Sequence, residues 1–568
     1  MKGGKVMKKN ILILSLFLIP CSLFLTSCKD YLTELSPGTN PASTFFGSTA
    51  AAKQAAIGCY VPLMWEYNGT YLSEWFIGDI VSDDALKGGG STNDMADAYD
   101  MENWKTESTN GLLLQFYRGQ FQGIGRCNLA IQNIEKMAVG TDKDFSQSMK
   151  NRLLAEAHYL RAYYYFRLVR VFGGVPMTTT VIDEESAWQR PRASVADVYA
   201  QIVSDLEFAN NYLPLKSKMA KEDLGRATKG AAQAMLMKVN LYMASPYWKA
   251  QVPADVDYAL QAKLYGDTII ASGEYDLCDE YWDNFTLAGE NGIESVFEIQ
   301  YKEVPWGDYG EGFGYTAGSF TQILTRSRSS MLGGGWGFNH PTWNLYNEFE
   351  EADTLRRDAA IMNPEDPKII TQVQDLIIAA KQDADQHFID SIRENVTTII
   401  ENPSEELYLD NALLNNKYGM YYEDVATGGG MGKWGAHASR GPLNNKQIRY
   451  ADVLLMHAEA CLLAGGYEAE ALEDINKVRA RAQIDELDAI TEEALRHERR
   501  CELAMEGHRW FDLVRWGNTK QHMDAYAATE PEEVTQHMAA FVEGKHELFP
   551  IPSEERILNP QMSQNNGY

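Results

Sequence analysis

The chain has 568 residues and a formal net charge of −28 at pH 7, from 51 Lys and Arg against 79 Asp and Glu. This acidic balance leaves no basic stripe to neutralise phosphates, which argues against nucleic-acid binding. A hydrophobic content of 45% is ordinary for a globular protein, and the length allows a large buried core.

The first residues are organised like a bacterial export signal. A positive region is formed by four lysines: Lys2, Lys5, Lys8 and Lys9. The apolar run 11–19 is too short to cross a bilayer as a helix. Leu25–Cys28 (LTSC) then resembles a lipobox, after which Cys28 is acylated. The alternative is an ordinary signal peptide with an incidental Cys. We predict a lipoprotein signal peptide over 1–27 and a lipidated tether over 28–44 that holds the protein on a membrane.

The first half of the chain after this tether is predicted to be helical. Phe45–Trp65 indicates a first helix that ends near Pro62, whereas Tyr71–Asp84 is ambiguous. Further along, apolar residues recur every three or four positions. The helices predicted there begin at Gly111, span Asn151–Phe172, follow the capping residue Ser194, and include Arg226–Ala244 and Leu260–Ile270.

The pattern changes in the middle of the chain. Glu294–Tyr301 partly alternates between apolar and polar residues and indicates a strand. Two loops rich in glycine and aromatic residues follow, Glu303–Gly318 and Met331–Pro341. Pro364–Asn411 has helical periodicity without a strong signature, and Gly428–Gly441 is again a glycine-rich loop.

Helical periodicity returns at Lys446. An apolar face from Ile448 to Leu462 is followed by a partner face from Leu472 to Ala482, and a further helix is predicted from Thr491. Paired helices of roughly 12 to 20 residues joined by short turns resemble tetratricopeptide-type repeats. We therefore predict a mainly α fold: a tetratricopeptide-like helical-repeat scaffold with long irregular loops and a few short strands.

The segment Glu498–Gly517 combines acids, arginines and aromatic residues in two helical pieces around Gly507. An unpaired buried charge costs several kcal/mol, roughly, so charges beside an apolar face need partners. We predict a joint between two helices that is held by Glu–Arg pairs. The alternative is a carboxylate dyad for acid–base chemistry. As many arginines as acids occur here, however, and arginines lower carboxyl pKa values.

No complete catalytic or metal-binding motif occurs in the sequence. The chain lacks H-E-x-x-H and G-x-S-x-G, and GGGMGK at Gly428–Lys433 departs from Walker A at both ends. No C-x-x-C occurs either, so the cysteines of the mature chain are interpreted as small buried hydrophobes. His457 and His508 are interpreted as structural. We predict no catalytic residue, no metal site and no cofactor. For Asp83-Asp84, a cation site, a turn cap and simple solvent exposure stay open.

Seven segments, spread from the tether to the last residue, carry a shared pattern. They are CKDYLTELSPG, AEAHYLRAYYYFRLVRVFGGVP, GRATKGAAQAMLMKVNLYMA, IRYADVLLMHAEA, DINKVRARA, ERRCELAMEGHRWFDLVRWG and LFPIPSEERILNPQMSQNNGY. In this order they resemble the SusD/RagB family, the surface glycan-binding lipoproteins of Bacteroidetes nutrient uptake. The resemblance implies one SusD-like helical domain over 45–568. Its scaffold is expected at 111–272 and 446–517, and its loop-rich ligand-binding part at 60–105 and 280–445.

The resemblance also implies a function. It indicates a lipid-anchored protein of the outer membrane, facing outside, that binds oligosaccharide or polysaccharide nutrients. It further implies that the ligand is passed uncleaved to a partner TonB-dependent, SusC-like transporter. Two alternatives stay open: a surface glycosidase on a helical scaffold, and a protein-interaction scaffold whose aromatic loops hold a partner protein. The resemblance does not select one glycan, or a glycan over a peptide.

Aromatic residues in the glycine-rich loops are the candidate ligand contacts. Sugars offer flat apolar faces that stack on exposed rings, beside a rim of hydroxyl groups. Glycine-rich loops on a rigid scaffold are suited to present such rings. The candidates are Trp306, Tyr309, Tyr315, Trp336 and Phe338, with Tyr67, Asn68 and Trp75 from the earlier loop. The alternative is that each ring fills the helical core.

Overall fold

The structure, a computed structural model, describes residues 45–65, 74–182, 188–303, 318–394, 413–426, 428 and 441–568. Within these ranges the chain is mainly helical, with three two-stranded sheets, which confirms the predicted fold class. None of the helices in these ranges is long and apolar enough to cross a membrane.

Helices make up most of the described elements. Before residue 280 they are α1 Thr49–Gly58, α2 Glu74–Gly78, α3 Ala96–Glu102, α4 Gly111–Lys136, α5 Gln147–Phe172, α6 Val195–Tyr212, α7 Lys229–Ala244, α8 Pro246–Lys249 and α9 Tyr258–Ser272. In the middle of the chain they are α10 Thr321–Thr325, α11 Trp343–Glu348, α12 Thr354–Ala360, α13 Pro367–Ala380, α14 Gln386–Glu394 and α15 Tyr421–Ala426. The last group is α16 Tyr450–Ala464, α17 Glu468–Arg481, α18 Glu492–Glu502, α19 Arg509–Trp516, α20 Thr519–Thr529, α21 Glu532–Thr535 and α22 Ser553–Leu558.

Three antiparallel strand pairs stand apart from the helices. The strands are β1 Ala85–Gly88, β2 Ser295–Ile299, β3 Phe338–Pro341, β4 Ile361–Met362, β5 Leu414–Asn415 and β6 Asn445–Arg449. The pairs are β1 with β3, β2 with β6, and β4 with β5. The first two pairs join the loop-rich middle of the chain to the parts before and after it, whereas β4 and β5 both lie within the middle.

Seven helices form a continuous array in which each packs against the next. The order of neighbours is α4, α5, α6, α7, α9, α16 and α17. The contact between α9 and α16 joins helices that lie on either side of the loop-rich segment 273–449. This segment therefore interrupts the helical array in sequence but not in space.

Side-chain caps and burial explain the helices of this array. Ser194 accepts a hydrogen bond from the Asp197 N–H, as predicted, and Thr491 caps α18 in the same way. From Leu153 to Phe172, α5 is buried on every side. A helix without a solvated face belongs in the centre of a domain. The long tyrosine-rich helix is accordingly the centre of the core.

Two expected helix boundaries need correction. Residues Asn445–Arg449 form β6, so the helix begins at Tyr450 rather than at Lys446. Ile448 lies opposite Phe297 in the sheet and is buried. A short apolar pattern of one turn does not separate a strand end from the first turn of a helix. The predicted first helix also ends earlier, at Gly58, before a 3-10 turn over Val61–Met64.

The predicted joint between two helices is confirmed. α18 ends at Glu502 and α19 begins at Arg509. Between them Gly507 has a φ of 77°, and its N–H donates to the Oδ1 of Asp79 at 2.8 Å. A Cβ added to Gly78 would come within 2.0 Å of the Gly507 oxygen. Both positions therefore require glycine.

Arginines and carboxylates form ion pairs throughout this joint. We call these paired residues, together with Asp83, Asp84, Arg500 and Arg509, the arginine–carboxylate network. Arg449 binds Glu294, Glu502 and Glu506, and Lys417 donates to Glu506 at 2.7 Å. Burial alone would raise the pKa of Glu506, but Arg449 and Lys417 lower it to about 2. Glu506 therefore stays ionised at pH 7, as predicted, and is not set up as a proton donor.

Asp83 and Asp84 are buried, so solvent exposure is the wrong one of the interpretations left open. Their cations are arginines of the same chain. Arg509 donates through Nε and Nη2 to the two carboxylate oxygens of Asp83, each at 2.7 Å. Arg500 donates to Asp84 Oδ1 at 2.8 Å. Adjacent acids in a loop resemble a solvated surface in sequence because their partners lie more than 400 residues further along the chain.

Candidate functional site

The candidate site is built on the sheet of β1 and β3. Gly88 lies opposite Phe338, and the Gly89 N–H donates to the Gly337 oxygen at 2.6 Å. At this end of the sheet the strands lead into two glycine-rich turns, one before Asp94 and one before Phe338. The sheet therefore brings an early loop and a middle loop of the chain together.

The arginine–carboxylate network holds this sheet in place. Thr342, just after β3, donates through Oγ1 to the Asp83 oxygen at 2.7 Å and through its N–H to the Asp84 oxygen at 2.9 Å. In β3 itself, Asn339 donates to the carboxylate of Asp79 at 3.1 Å. Because Asp83 and Asp84 are fixed by arginines of the C-terminal helices, the scaffold determines where the two turns lie.

Lys87 fixes the first turn. Its ammonium donates to the carbonyl oxygens of Ser91 at 2.8 Å and Asp94 at 2.7 Å. The Asp94 carboxylate accepts the Gly90 N–H at 2.9 Å. Ser91 and Asn93 remain exposed on the outside of this turn. The result is a polar, hydrogen-bonded edge with hydroxyl and amide groups directed away from the core.

Trp336 lies on the second turn and is half-buried. Its backbone N–H donates to the Ile323 carbonyl oxygen at 2.7 Å, and its backbone carbonyl oxygen accepts from Arg328 Nη1 at 3.3 Å. The same guanidinium lies 3.8 Å from the Asp94 carboxylate. The Trp336 backbone, the Arg328 guanidinium and the Asp94 carboxylate thus lie together where the two turns meet, and the Trp336 side chain, packed partly against the core, is half-exposed there. We call this set Trp336, Arg328 and Asp94 the Trp336 face.

A second core cluster anchors the turn from below. Arg326 is fully buried, binds Asp424 at 2.7 Å and lies 4.7 Å from the centre of the Tyr421 ring. The Tyr421 hydroxyl accepts the Ser327 N–H at 2.9 Å. A Cβ on Gly335 would lie 2.4 Å from the Arg326 oxygen, so this close approach requires glycine. The turn that carries Trp336 is consequently positioned by packing rather than by solvent-exposed loop contacts.

The electrostatics of the face are those of a neutral site. Burial lowers the pKa of Lys87 to about 8, so its ammonium is still mostly protonated at pH 7, but it is fully buried and is not part of the exposed face. Burial, with Lys87 and Arg328 nearby, lowers the pKa of His340 to about 4, so this imidazole is neutral at pH 7. The charges of Arg328 and Asp94 offset each other. Such a surface offers hydrogen-bond donors and acceptors without a net charge, which suits an uncharged, hydroxyl-rich ligand.

The predicted site residues fall into three groups. Trp336 lies at the centre of the face. Phe338 and Trp75 are buried in the core with 1% and 4% of their surface exposed, so neither ring presents an open face and both are placed with the core. The remaining candidates lie outside the described residues: Trp306, Tyr309, Tyr315, Tyr67 and Asn68.

Two described residues that are distant in sequence pair beside the face. Ser319 and Gly441 form an antiparallel bridge with N–H···O distances of 2.8 and 3.2 Å. The bridge leads directly into α10, whose Ile323 oxygen holds Trp336. The sequence analysis missed Arg328 and Asp94, because no periodicity or motif marks a polar side chain that acts through a distant loop.

A large cleft lies elsewhere in the molecule and lacks an aromatic platform. It has a volume of about 1120 Å³ and is lined by residues of α18 and α20, with Asp83, Arg500 and Arg509 at its base. Its two large aromatic residues, Trp516 and Tyr526, are buried with 6% and 4% exposed. Its charges are mostly paired within the arginine–carboxylate network. The Trp336 face therefore fits a sugar better than this cleft does.

A helical-repeat scaffold that carries a face built from loops is typical of a class of binding proteins. The chain is similar to known proteins of this class. A sequence model of the SusD family matches residues 293–568, and one described as "Starch-binding associating with outer membrane" matches residues 30–241. Together the two cover most of the chain. The chain belongs to the SusD/RagB family.

The similarity to individual proteins extends over most of the length of each of them. A SusD-like protein of Bacteroides ovatus is 26% identical over 90% of this chain and 83% of its own. The starch-binding protein SusD of Bacteroides thetaiotaomicron is 25% identical over 73% of each chain. The solved structure of a laminarin binding SusD-like protein matches with a TM-score of 0.71 at 25% identity, over 91% of this chain and 99% of that one.

Proposed function

We propose that this protein binds oligosaccharides or polysaccharides at the Trp336 face and does not cleave them. The observation that carries the proposal is the position of the half-buried Trp336 on a turn whose backbone carbonyl accepts from Arg328, beside Asp94, with both turns fixed by the scaffold. An aromatic ring supplies stacking to the apolar face of a sugar. The charged groups beside it supply hydrogen bonds to the hydroxyl rim.

The relatives support the ligand class without selecting one sugar. One of them is named as starch-binding and one solved structure as laminarin-binding. Starch and laminarin are both neutral glucans, which agrees with the offset charges of the Trp336 face. A glycan array probed with the purified protein is the first test. If no glycan on the array retains the protein, the proposal is contradicted.

The contribution of Trp336 is tested by substitution. We expect Trp336→Ala to weaken glycan binding about thirtyfold, or about 2 kcal/mol, because an aromatic anchor at the centre of a binding site commonly contributes this much. Titration calorimetry with the best glycan of the array measures the effect. Trp336→Phe keeps a ring and should retain part of the affinity. We propose the same role for Trp306 and expect a comparable loss in Trp306→Ala.

A matched control separates the site from the fold. Trp343 is also half-buried and follows β3 at the end of the strand remote from the turn. Trp343→Ala removes an indole of similar burial and should leave the affinity unchanged. Equal losses of affinity in Trp336→Ala and Trp343→Ala, each accompanied by a lower melting temperature, would mean that both rings act through the core and not through the ligand.

We further propose that the protein is a lipoprotein on the outside of the outer membrane, delivering its ligand to a TonB-dependent, SusC-like transporter. The description of one family model, which names association with the outer membrane, supports this location. The proposed division is a signal peptide over 1–27, a tether over 28–44 and one domain over 45–568. Co-purification of such a transporter from detergent-solubilised outer membranes tests the partnership.

The lipid anchor is tested at one residue. We expect Cys28→Ala to release the protein from the membrane fraction and to abolish incorporation of labelled palmitate, because the acylated thiol is then missing. Cell fractionation and metabolic labelling measure the two effects. Cys59→Ala, at a buried thiol, is the matched control and should change neither. Membrane retention together with labelling in Cys28→Ala would exclude Cys28 as the anchor.

The enzyme alternative has its own measurement. A glycosidase needs two carboxyl groups, roughly 5–10 Å apart, one of them with a raised pKa. The carboxyl groups near the Trp336 face are Asp94 and Glu102. Burial raises the pKa of Glu102 to about 7, but this carboxylate accepts the Lys87 N–H at 3.2 Å and is buried, so it has no open side for a substrate. Incubation of purified protein with the glycans bound on the array, followed by product analysis, decides the question. Release of shorter oligosaccharides would establish the enzyme alternative.

A further inference from the structure

We propose that His457, Cys461 and Glu470 form a binding site for a divalent transition metal ion of the zinc type. The ligand atoms of these three residues all lie within 4.8 Å of one another. They lie where α9, α16 and α17 meet, within the helical array and away from the Trp336 face. The proposed site is independent of glycan binding.

Helical spacing creates this site. Each of the three helices contributes two polar side chains that are four residues apart and therefore lie on one helix face. The pairs are Lys263 and Asp267 on α9, His457 and Cys461 on α16, and Glu470 and Asp474 on α17. Because the ligands come from separate helices, no Cys-x-x-Cys or other short motif marks them in the sequence.

The distances come close to those of tetrahedral coordination, and a rotation of the Cys461 side chain completes it. Cys461 Sγ lies 3.7 Å from His457 Nε2 and 4.0 Å from Nδ1, over the ring, and Asp267 Oδ1 lies 3.0 Å from Nε2. Zinc with Zn–N and Zn–O bonds of about 2.1 Å and Zn–S bonds of about 2.3 Å separates neighbouring ligand atoms by roughly 3.3–3.7 Å. Asp267 is therefore placed to act as a fourth ligand. A thiol and an imidazole favour zinc-type ions over calcium or magnesium.

The second imidazole nitrogen is already oriented for this role. His457 Nδ1 lies 2.5 Å from the Asp474 carboxylate, which leaves Nε2 to face Asp267, with Cys461 Sγ beside the ring. Metal-binding histidines commonly have a carboxylate on the other nitrogen, which fixes the ring and increases its basicity. Asp474 is thus a positioning residue rather than a ligand.

Lys263 is the internal competitor for the metal ion. Its ammonium lies 2.8 Å from Asp267 Oδ1 and 2.6 Å from Glu470 Oε2. Binding of a metal ion requires this ammonium to move away. It also requires the Cys461 thiol and the His457 Nε2–H, which faces Asp267, each to lose a proton to the solvent. Lys263 also lies 4.5 Å from the centre of the Tyr467 ring, which offers the displaced cation a second contact. The side chains of Asp267 and Glu470 are 37% and 46% exposed, which gives the ion a path from solvent.

Cobalt spectroscopy and zinc titration test the proposal on the purified protein in a phosphine reductant. We expect one equivalent of Zn²⁺ to bind with release of protons, and Co²⁺ to give a thiolate charge-transfer band. Cys461→Ser should abolish the band, and His457→Gln should weaken zinc binding at least tenfold. Asp474→Asn should weaken it about 10–100-fold. Lys263→Met removes the competitor and should tighten it.

The chain contains a matched control with the same spacing. His497 and Cys501 lie four residues apart on α18, with Cys501 Sγ 3.9 Å from His497 Nε2. Cys501→Ser should keep the band and the stoichiometry. The proposal is overturned if the unmodified protein binds no Zn²⁺, or if the cobalt band survives in folded Cys461→Ser. Loss of the band in Cys501→Ser but not in Cys461→Ser would move the site to α18 and overturn it equally.

Discussion

Arg449→Met is expected to lower the free energy of unfolding by about 3–5 kcal/mol, because it removes the cation from a buried set of charges. Arg449 is 1% exposed. It donates to Glu294 at 2.8 Å and to both oxygens of Glu506 at 2.9 Å, and it also binds Glu502. Removal of this guanidinium leaves three buried carboxylates with fewer partners. Urea unfolding at pH 7 measures the loss.

A surface arginine provides the control. Arg118 pairs with Glu554 and Glu555 at 3.1 and 2.6 Å, and 41% of its side chain is exposed. Exposed ion pairs contribute about 1 kcal/mol or less. Arg118→Met should therefore change stability little, although it breaks two ion pairs with Glu, against three in Arg449→Met. A similar, small effect in both variants would show that solvent reaches the arginine–carboxylate network and screens it.

The loss in Arg449→Met should also depend on pH in a defined direction. In the unmodified protein the pKa of Glu506 is lowered from 4.5 to about 2, so the stability it contributes is present above pH 4.5 and lost as the pH falls toward 2. Without Arg449 the buried acids bind protons more readily. The stability difference between the two proteins should therefore shrink between pH 4.5 and 2. A constant difference over this range contradicts the assigned ionisation.

The helical array could be predicted from the sequence because its signals are local. The apolar period of α5 and the side-chain caps at Ser194 and Thr491 depend only on neighbouring residues. The start of α16 could not be placed, because the strand pairing of Ile448 with Phe297 depends on a segment about 150 residues earlier in the chain. Local pattern favours a helix there, and long-range pairing decides for a strand.

The candidate site was only partly predictable for the same reason. Trp336 was indicated by its glycine-rich surroundings, but the same reasoning also selected Phe338, which packs into the core two residues later. Trp336 lies in the turn and Phe338 in β3, and composition alone does not say where the turn ends and the covered strand begins. Arg328 and Asp94 became visible only when β1 and β3 were paired.

The segment Glu498–Gly517, a C-terminal signature of the sequence, acts on the candidate site through the backbone of Asp83 and Asp84, just before β1. Arg500 and Arg509 fix Asp83 and Asp84, whose carbonyl oxygens hold Thr342 at the far end of β3. The conformation of the Trp336 face therefore depends on helices that do not touch the ligand. Substitutions in this signature should act first on stability, and on affinity only in proportion to the folded fraction.

Trp510→Ala tests that separation, with an expected loss of about 3–5 kcal/mol in the free energy of unfolding. Trp510 is 1% exposed in α19, and its ring meets Phe541 edge-on at a centroid distance of 6.2 Å. Removing the indole leaves a large cavity between the C-terminal helices. Trp510→Phe fills part of that space and should lose less. Chemical denaturation measures stability, and calorimetry under conditions where each variant is folded should give unchanged glycan affinity. A folded Trp510→Ala protein with an unchanged melting temperature and no glycan binding would instead place a ligand contact in this motif.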